Sequence, residues 1–481
     1  MVQDTGLGQE MFITAYKKRG QQNLTCYRYT EDPITNNIPN ELLSERAAMY
    51  CVSPPGETDW FKGTLYGSDA PELDDAFHRL TLQDKASNKK YPLPGADHVA
   101  AIVKFYDSPD ALRVSQLVEV IGVLSHPDSS RDRDIEEQQQ SAVDPAVELG
   151  SALHSLAAST PIIHAITYTP LEGLSRSAFD KDMLADLPDQ AQEIRTHLID
   201  YISTAFKGDK LAAELILLQL LSRVTAKNGG VKIGPLSLNI SNFSEGDKTS
   251  THIVASLLSR LVSHQVVLPL TVDFLNQATF MPKSIDENLH SGALQLVDGT
   301  SLIVDETGLS EGTLNDQGSV RNLQALTNVI QNQTLSYVFP YSQFDFDTDL
   351  INLTLSAGKS MLPSDLSLRL SPSYENGEGL PVLPEETLNL YRMYIDAAKF
   401  SEYTIPPDVS EYIQTCFVNE RKTAVAQSKT LPSQDDLMRR VNLARLVSLS
   451  FGQSELTKES YEHAQRLDSA CEGKSAKPAS K

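Results

Sequence analysis

From residue 190 to residue 355 the chain alternates between two hydrophobic periods, and no other feature restricts its fold as strongly. Helical apolar spacing over 190–206 and 209–224 gives way to a strand pattern at 236–240 and then a polar loop. Helical spacing returns over 251–262, a strand pattern follows at 301–304, and a helix at 320–330. Strand patterns close the series at 338–339 and 350–355. Strands that take turns with helices put the helices on the faces of a mostly parallel sheet. The longest apolar run, 211–221, is interrupted by Glu214 and Gln219. It falls well short of the roughly 20 residues that cross a bilayer, so it reads as a buried helix. Over 386–467 only helical patterns occur, which predicts a terminal helical subdomain.

The first 125 residues have a different texture. Residues 11–30 read as two strands around Arg19-Gly20-Gln21-Gln22. The apolar stretch AMYCV leads to the turn Pro54-Pro55-Gly56-Glu57 and then to Trp60, the single tryptophan. Residues 99–106 and 112–124 are strand-like. Short strands with few helices between them suit a small open barrel of the oligonucleotide/oligosaccharide-binding (OB) type, and a generic β-sandwich shares the pattern. The polar stretch 67–90 reads as an insertion, and the charged, Gln- and Ser-rich 126–146 as a linker. The expected organisation is therefore an OB-like β domain over 1–125, a linker over 126–147, an α/β domain over 148–385, a helical subdomain over 386–470 and a tail over 471–481.

A formal net charge of −22 over 481 residues opposes binding to nucleic acid, because duplex binding depends on Lys and Arg replacing counterions on phosphates. Basic protein partners suit such a surface. Lys89-Lys90 and the tail over 474–481 read as a solvated loop or frayed end. Cys26, Cys51, Cys416 and Cys471 form no CxxC pair and have no His at zinc-ligand spacing, so reduced thiols and no metal are expected. Neither a membrane span nor a leader pattern is present, which predicts a soluble chain. His252 and His264, on one helical stretch, read as surface or satisfied-core residues. Trp60 and Tyr106 read as barrel-core residues, with surface anchoring as the alternative.

The chemistry-bearing segment is 291–312, SGALQLVDGTSLIVDETGLSEG, whose apolar strand Leu302-Ile303-Val304 ends in Asp305-Glu306. In P-loop ATPases such an Asp helps hold Mg²⁺ and the Glu polarises water. This segment resembles the MCM helicase stretch in which a Gly-Ala-Leu-x-Leu-Ala-Asp hairpin leads into the Walker B Asp-Glu. Upstream, 208–240 resembles the MCM stretch before the P-loop, most closely at Ile216-Leu217-Leu218-Gln219-Leu220-Leu221. The expected phosphate loop is Ser241-Asn242-Phe243-Ser244-Glu245-Gly246-Asp247-Lys248-Thr249. A Walker A loop needs GxxxxGK[ST] so that its N–H groups wrap phosphate. Here the first glycine is missing, and Glu245 and Asp247 bring like charge to the phosphate position. Ala357-Gly358-Lys359-Ser360 imitates the end of a P-loop without a cradle glycine at 353 or 354. The strand before it ends Leu355-Ser356-Ala357, where MCM helicases carry a sensor Asn, and no Ser-Arg-Phe segment supplies an arginine finger. In 433–445, similar to the MCM lid helix, Asp435 stands at the place of the lid arginine.

An ATPase site eroded in this way resembles the MCM-binding protein family over nearly the whole chain, most specifically at 206–224, 291–314 and 355–370. The resemblance implies a degenerate MCM/AAA+-like α/β module behind the OB-like domain, with a helical lid-like subdomain. It implies a nuclear, non-catalytic protein with no cofactor, in which Lys248, Thr249, Asp305 and Glu306 are vestigial positions. It further implies association with MCM subunits in place of one member of the hexamer, help in assembling or protecting MCM subcomplexes, and release of MCM from chromatin, with a link to sister-chromatid cohesion. Chromatin is reached through MCM, with no membrane contact and no strong direct DNA binding. Family members carry residues upstream of the MVQD segment, so the chain is expected to begin late. Two other readings remain open: a residual ATPase using Lys248, Thr249, Asp305 and Glu306, and a single-strand nucleic-acid binder acting through the OB-like domain.

Overall fold

The computed structural model describes residues 1–16, 25–30, 42–66, 87–107, 112–125, 160–171, 187–228, 231–285, 288–310, 312–314, 317–371, 380–428 and 430–475. The turn at 19–22, most of the 67–90 insertion, the 126–147 linker and the last six residues lie outside them.

The first sheet has six strands: β1 (Val2–Asp4), β2 (Gln9–Ile13), β3 (Leu43–Val52), β4 (Ala100–Phe105), β5 (Leu117–Ser125) and β6 (Ile162–Leu171). Their order is β1-β3-β4-β6-β5, with β2 also on β3. The ten-residue β3 shares one edge between β1 and β2 and gives the other to β4. β4 and β6 run parallel, and the remaining pairs are antiparallel. Among the described residues the path stays open, so no closed barrel forms. β6 was not anticipated, and it shows that the boundary expected at 148 does not follow the edge of this sheet. Loop-closure entropy rises only slowly with length, so a strand can rejoin its sheet after a long excursion.

After the short helix α1 (Asp59–Tyr66), the second unit opens with α2 (Leu187–Ser203) and α3 (Lys210–Leu220). Then come β7 (Leu238–Ser241), α4 (Lys248–Ser259), β8 (Gln265–Pro269), β9 (Ser301–Asp305), α5 (Gln317–Asn332), β10 (Ile351–Ser356) and β11 (Leu366–Arg369). All five strands are parallel, ordered β8-β9-β10-β7-β11, as the alternating pattern predicts. β9 is buried on both faces. Ile303 packs with α2 and α3, whereas Leu302 and Val304 join the α5 side, because successive strand residues point to opposite faces. On α5, Asn322, Ala325, Leu326, Val329 and Ile330 recur at helical spacing and form its buried stripe. α3 is apolar nearly all round and sits inside the larger core. Its buried Gln219 is satisfied by the carbonyls of Asn352 (2.5 Å) and Leu236 (3.3 Å). The expected strand at 338–339 is Thr334–Val338, which belongs to a separate four-stranded sheet rather than the parallel one.

Helices α6 (Glu385–Lys399), α7 (Pro407–Ala426), α8 (Gln434–Ser450) and α9 (Lys458–Ser475) complete the described chain. Their apolar residues enter the same core as α2, α3 and the parallel sheet. α9 runs through Ser475 with Cys471 buried, so residues 471–475 are helix rather than tail.

The two units are tied together by backbone and side-chain bonds. Thr58 Oγ1 and Trp60 Nε1 each donate to the Val262 carbonyl at 3.0 Å. Gln295 Nε2 donates to the Gln3 carbonyl at 2.8 Å, and Lys90 Nζ donates to the Leu289 carbonyl at 3.3 Å. Lys90, expected in a solvated loop, is thus buried at the junction, where Asp4 of its own unit pairs with it. Gly56 makes the closest approach: its φ is +77°, and a Cβ there would lie 2.5 Å from the Gln265 carbonyl oxygen. Only glycine tolerates both constraints.

Candidate functional site

In open α/β sheets the crevice for ligands lies at the carboxyl ends of the strands, where the strand order reverses. Here that place is the tip of β7 beside β10 and β9. The chain leaves β7 through Asn242, held at φ +82°, and reaches α4 through Gly246 at φ +67°. Four of the loop N–H groups go to backbone acceptors. Phe243 donates to the Ser356 carbonyl (3.2 Å), Gly246 to Thr307 (2.9 Å), Asp247 to Ser244 (3.1 Å) and Lys248 to Gly246 (2.9 Å). Asp247 is the N-cap of α4, and its carboxylate accepts from the N–H groups of Thr249 (3.1 Å) and Ser250 (3.0 Å). A hydrogen bond from the Ser250 side chain, followed by the Ser250 and Thr249 N–H groups, holds this carboxyl below the usual aspartate range. The helix end that would receive a phosphate therefore carries the chain's own anion. Lys248 and Thr249 are the first two residues of α4, and both are exposed.

Asp305 ends β9, and its Oδ1 accepts from the Thr307 N–H (2.9 Å) and hydroxyl (2.7 Å) in a local turn. Glu306 is buried, with its N–H on the Leu355 carbonyl at 2.8 Å. Burial pushes its carboxyl above the usual range, opposed by hydrogen bonds from the Ser360 side chain and the Met361 and Leu362 backbone. Its Oε1 has no hydrogen-bond partner among the described residues. The fold thus brings the phosphate-loop position and the Asp-Glu turn together through the Gly246–Thr307 bond. It then seats the Glu under the 360–362 segment, where burial favours its protonated form.

The other positions singled out in the sequence fall in place around this end of the sheet. Ser356, at the expected sensor position, donates to Asn239 Oδ1 (3.0 Å), and Asn239 donates to Ser367 Oγ (3.2 Å). Ala357-Gly358-Lys359-Ser360 passes through an irregular turn toward β11 rather than into a helix, so it has no helix N-terminus to offer phosphate. Asp435 is exposed in the first turn of α8, whose cap is made instead by Ser433 and Asp436 as a reciprocal capping box.

In the first sheet, Arg46 and Lys104 both pair with Glu10 at 2.8 Å. Burial pushes the Glu10 carboxyl up, but Lys104 and Arg46 overcome it and hold the group below its usual range. The Tyr106 hydroxyl accepts from Arg46 Nη1 (3.0 Å) and meets His164 Nδ1 at 2.7 Å. The Arg392 guanidinium sits 3.9 Å over the Trp60 ring. Tyr106 and Trp60 are therefore spent on packing, Tyr106 within its sheet and Trp60 between the units, and neither stands open for base stacking. His252 is exposed on α4. His264, expected on the same helix, lies past its end at Ser259 and is buried next to β8. The sequence offered no signal for the Ser360 cover on Glu306, because 54 positions separate them and neither motif specifies what packs on it.

A profile of the mini-chromosome maintenance replisome factor family matches residues 68–474. A mini-chromosome maintenance complex-binding protein of Gallus gallus is 32% identical, across 91% of this chain and 80% of its own length. The protein of that name from Arabidopsis thaliana is 29% identical across 97% of this chain and 85% of its own. The one from Homo sapiens is 31% identical across 92% and 71%.

Proposed function

The chain belongs to the mini-chromosome maintenance replisome factor family, and on that premise we propose that it is a non-catalytic binding protein of MCM helicase subunits. Its second unit serves as a helicase-like scaffold in which shape has outlasted nucleotide chemistry. One observation carries the reading: Asp247 caps the helix end that phosphate would occupy. A phosphate entering there would have to displace a carboxylate and then sit beside it.

The degenerate AAA+-like reading draws support from the strand order. The strand that feeds the phosphate-loop position (β7) and the strand that ends in Asp305-Glu306 (β9) flank the sensor-position strand (β10), and their three tips converge. The helices α6 to α9 fit a lid-like part that has settled onto the core. Because β1 and β2 share one edge of β3, the first sheet has five positions in an open path, and this supports the OB-like reading, since OB folds are five-stranded, partly open barrels.

MCM subunits meet through the faces of their ATPase modules, one side bringing the phosphate loop and the other the arginine finger. A module of similar shape without an arginine finger occupies such a face and leaves the ATP site incomplete. It takes the place of one subunit, caps a partial ring, and holds MCM subcomplexes apart from the closed hexamer. Working in the nucleus, such a protein assists assembly or protection of subcomplexes and promotes release of MCM from chromatin, with cohesion of sister chromatids as a downstream consequence. Its acidic surface suits basic protein partners better than DNA.

The test is size-exclusion chromatography of the full chain mixed with purified MCM subunits. Co-elution with a subcomplex lacking one subunit is expected, and it should persist without ATP. If no subunit co-elutes, the scaffold reading fails. The full chain is needed because the Val262, Gln295 and Leu289 contacts make the first sheet part of the same body.

A further inference from the structure

At the opposite end of the parallel strands from Asp247 lies a cavity of about 580 Å³. One wall comes from the first sheet and Trp60. A second comes from the turn after α3 and the residues just before β9 and β10, and a third from the last two turns of α6. A junction between structural units is a usual place for a ligand site, and this volume lies in the usual range.

Four cationic side chains line it against three carboxylates, in a chain whose formal net charge is −22. Two of those carboxylates accept hydrogen bonds, and two of the cations are ion-paired, Arg113 with Asp298 and Arg392 with Glu385. Asp298 accepts from the Asp349 N–H (2.9 Å) and from Arg113 (2.7 Å), and Asp349 accepts from the Val224 N–H (3.0 Å). The cations crowd one another. Arg223 lies close enough to Lys399 and to Arg445 to act on both as a like charge. Burial first, with Arg223 adding to it, holds the Lys399 ammonium below the usual lysine range despite Asp349 and Asp396. Arg223 stacks over Phe400 at 4.9 Å, and its buried Nε has no hydrogen-bond partner among the described residues. A buried, unpartnered guanidinium N–H beside a second, half-buried cation is costly unless an acceptor arrives.

We propose that this cavity binds a small multivalent oxyanion, a molecule bearing phosphate or carboxylate groups, held by Arg223 and Lys399. Arg223 supplies planar, directed donors, and Lys399 supplies a mobile point charge. Because the walls come from three parts of the fold, the bound anion braces the first sheet, the parallel sheet and α6 against each other, and so stabilises the folded chain.

The experiment is isothermal titration of the full chain with pyrophosphate and, separately, with citrate, at low ionic strength. At least one probe should bind at a single saturable site with Kd below about 1 mM. Binding should weaken at least about tenfold in Lys399→Gln and in Arg223→Gln, the loss expected for a charge-assisted contact. Lys248→Ala, at the other end of the sheet, should leave it unchanged. The better of the two probes identifies the oxyanion class. Absence of saturable binding by either probe overturns the proposal, as does binding indifferent to both cavity variants or lost in Lys248→Ala. Should either cavity variant fail to fold, the wild-type chain still decides the matter. A thermal shift with the probe must exceed that given by sodium chloride at equal ionic strength, and an equal shift overturns the proposal.

Discussion

Asp247→Gly separates a self-capped relic from a working nucleotide site, because it restores the glycine that a phosphate loop carries just before its lysine. In the wild-type chain, phosphate must first free the Thr249 and Ser250 N–H groups from the Asp247 carboxylate, which holds them at 3.1 and 3.0 Å. Giving up an aspartate cap costs about 1 kcal/mol. The displaced carboxylate, left near the ligand, adds about 1 kcal/mol for each pair of unit charges about 4 Å apart in water, hence about 2 kcal/mol against two phosphate charges. The sum of about 3 kcal/mol is roughly a hundredfold in affinity. Glycine removes both terms. It is also an acceptable N-cap, so α4 loses only about a few tenths of a kcal/mol. Isothermal titration with Mg-ATP should show tighter binding for Asp247→Gly than for wild type, by up to about a hundredfold. That gain should vanish when Lys248→Ala is added. Micromolar wild-type binding that disappears in Lys248→Ala would refute the reasoning and favour an ATPase. So would an Asp247→Gly chain that binds no better than wild type.

Acid should destabilise the protein through its buried histidines. Burial first, with Arg46 and Lys104 adding and Glu10 opposing, pushes His164 down to about 4, and burial pushes His264 down to about 3. An unfolded-chain histidine titrates near about 6.5. As pH falls from there toward 4, the unfolded state binds protons that the folded state refuses, and stability drops through that window. Thermal melts from pH 7.5 to 5 should show this slope, and a His164→Gln chain with an unchanged slope would rule His164 out as a source. Leu217, fully buried in α3, should cost about 2–5 kcal/mol when changed to Ala, read by urea denaturation. A loss under about 1 kcal/mol would mean that the α3 site collapses freely around the gap. Gly56→Ala forces a Cβ to 2.5 Å from the Gln265 carbonyl at a positive φ. It should cost at least about 1–3 kcal/mol and loosen the joint between the units, seen as faster limited proteolysis between the first sheet and α2.

What the sequence determined by itself is what short-range periodicity encodes. Alternating residues in β9 and the i, i+3, i+4 stripe on α5 each state which faces must be covered, so the parallel sheet with helices on both sides was legible. So was the place of Asp305-Glu306 at a strand end, because an apolar run must stop where polar backbone turns. Where polar capping replaces periodicity, the reading slipped. α4 starts at Lys248, three residues before the apolar spacing begins, because Asp247 rather than a hydrophobic residue sets its first turn. Tertiary structure alone decided the rest. β6 joins the first sheet from beyond the expected boundary, Ser360 covers Glu306 from 54 residues away, and Arg223 and Lys399 meet across 176. Local pattern says that a surface must be buried, and says nothing of what will bury it. The closure entropy that separates near partners from distant ones grows only with the logarithm of the chain between them, so packing makes that choice.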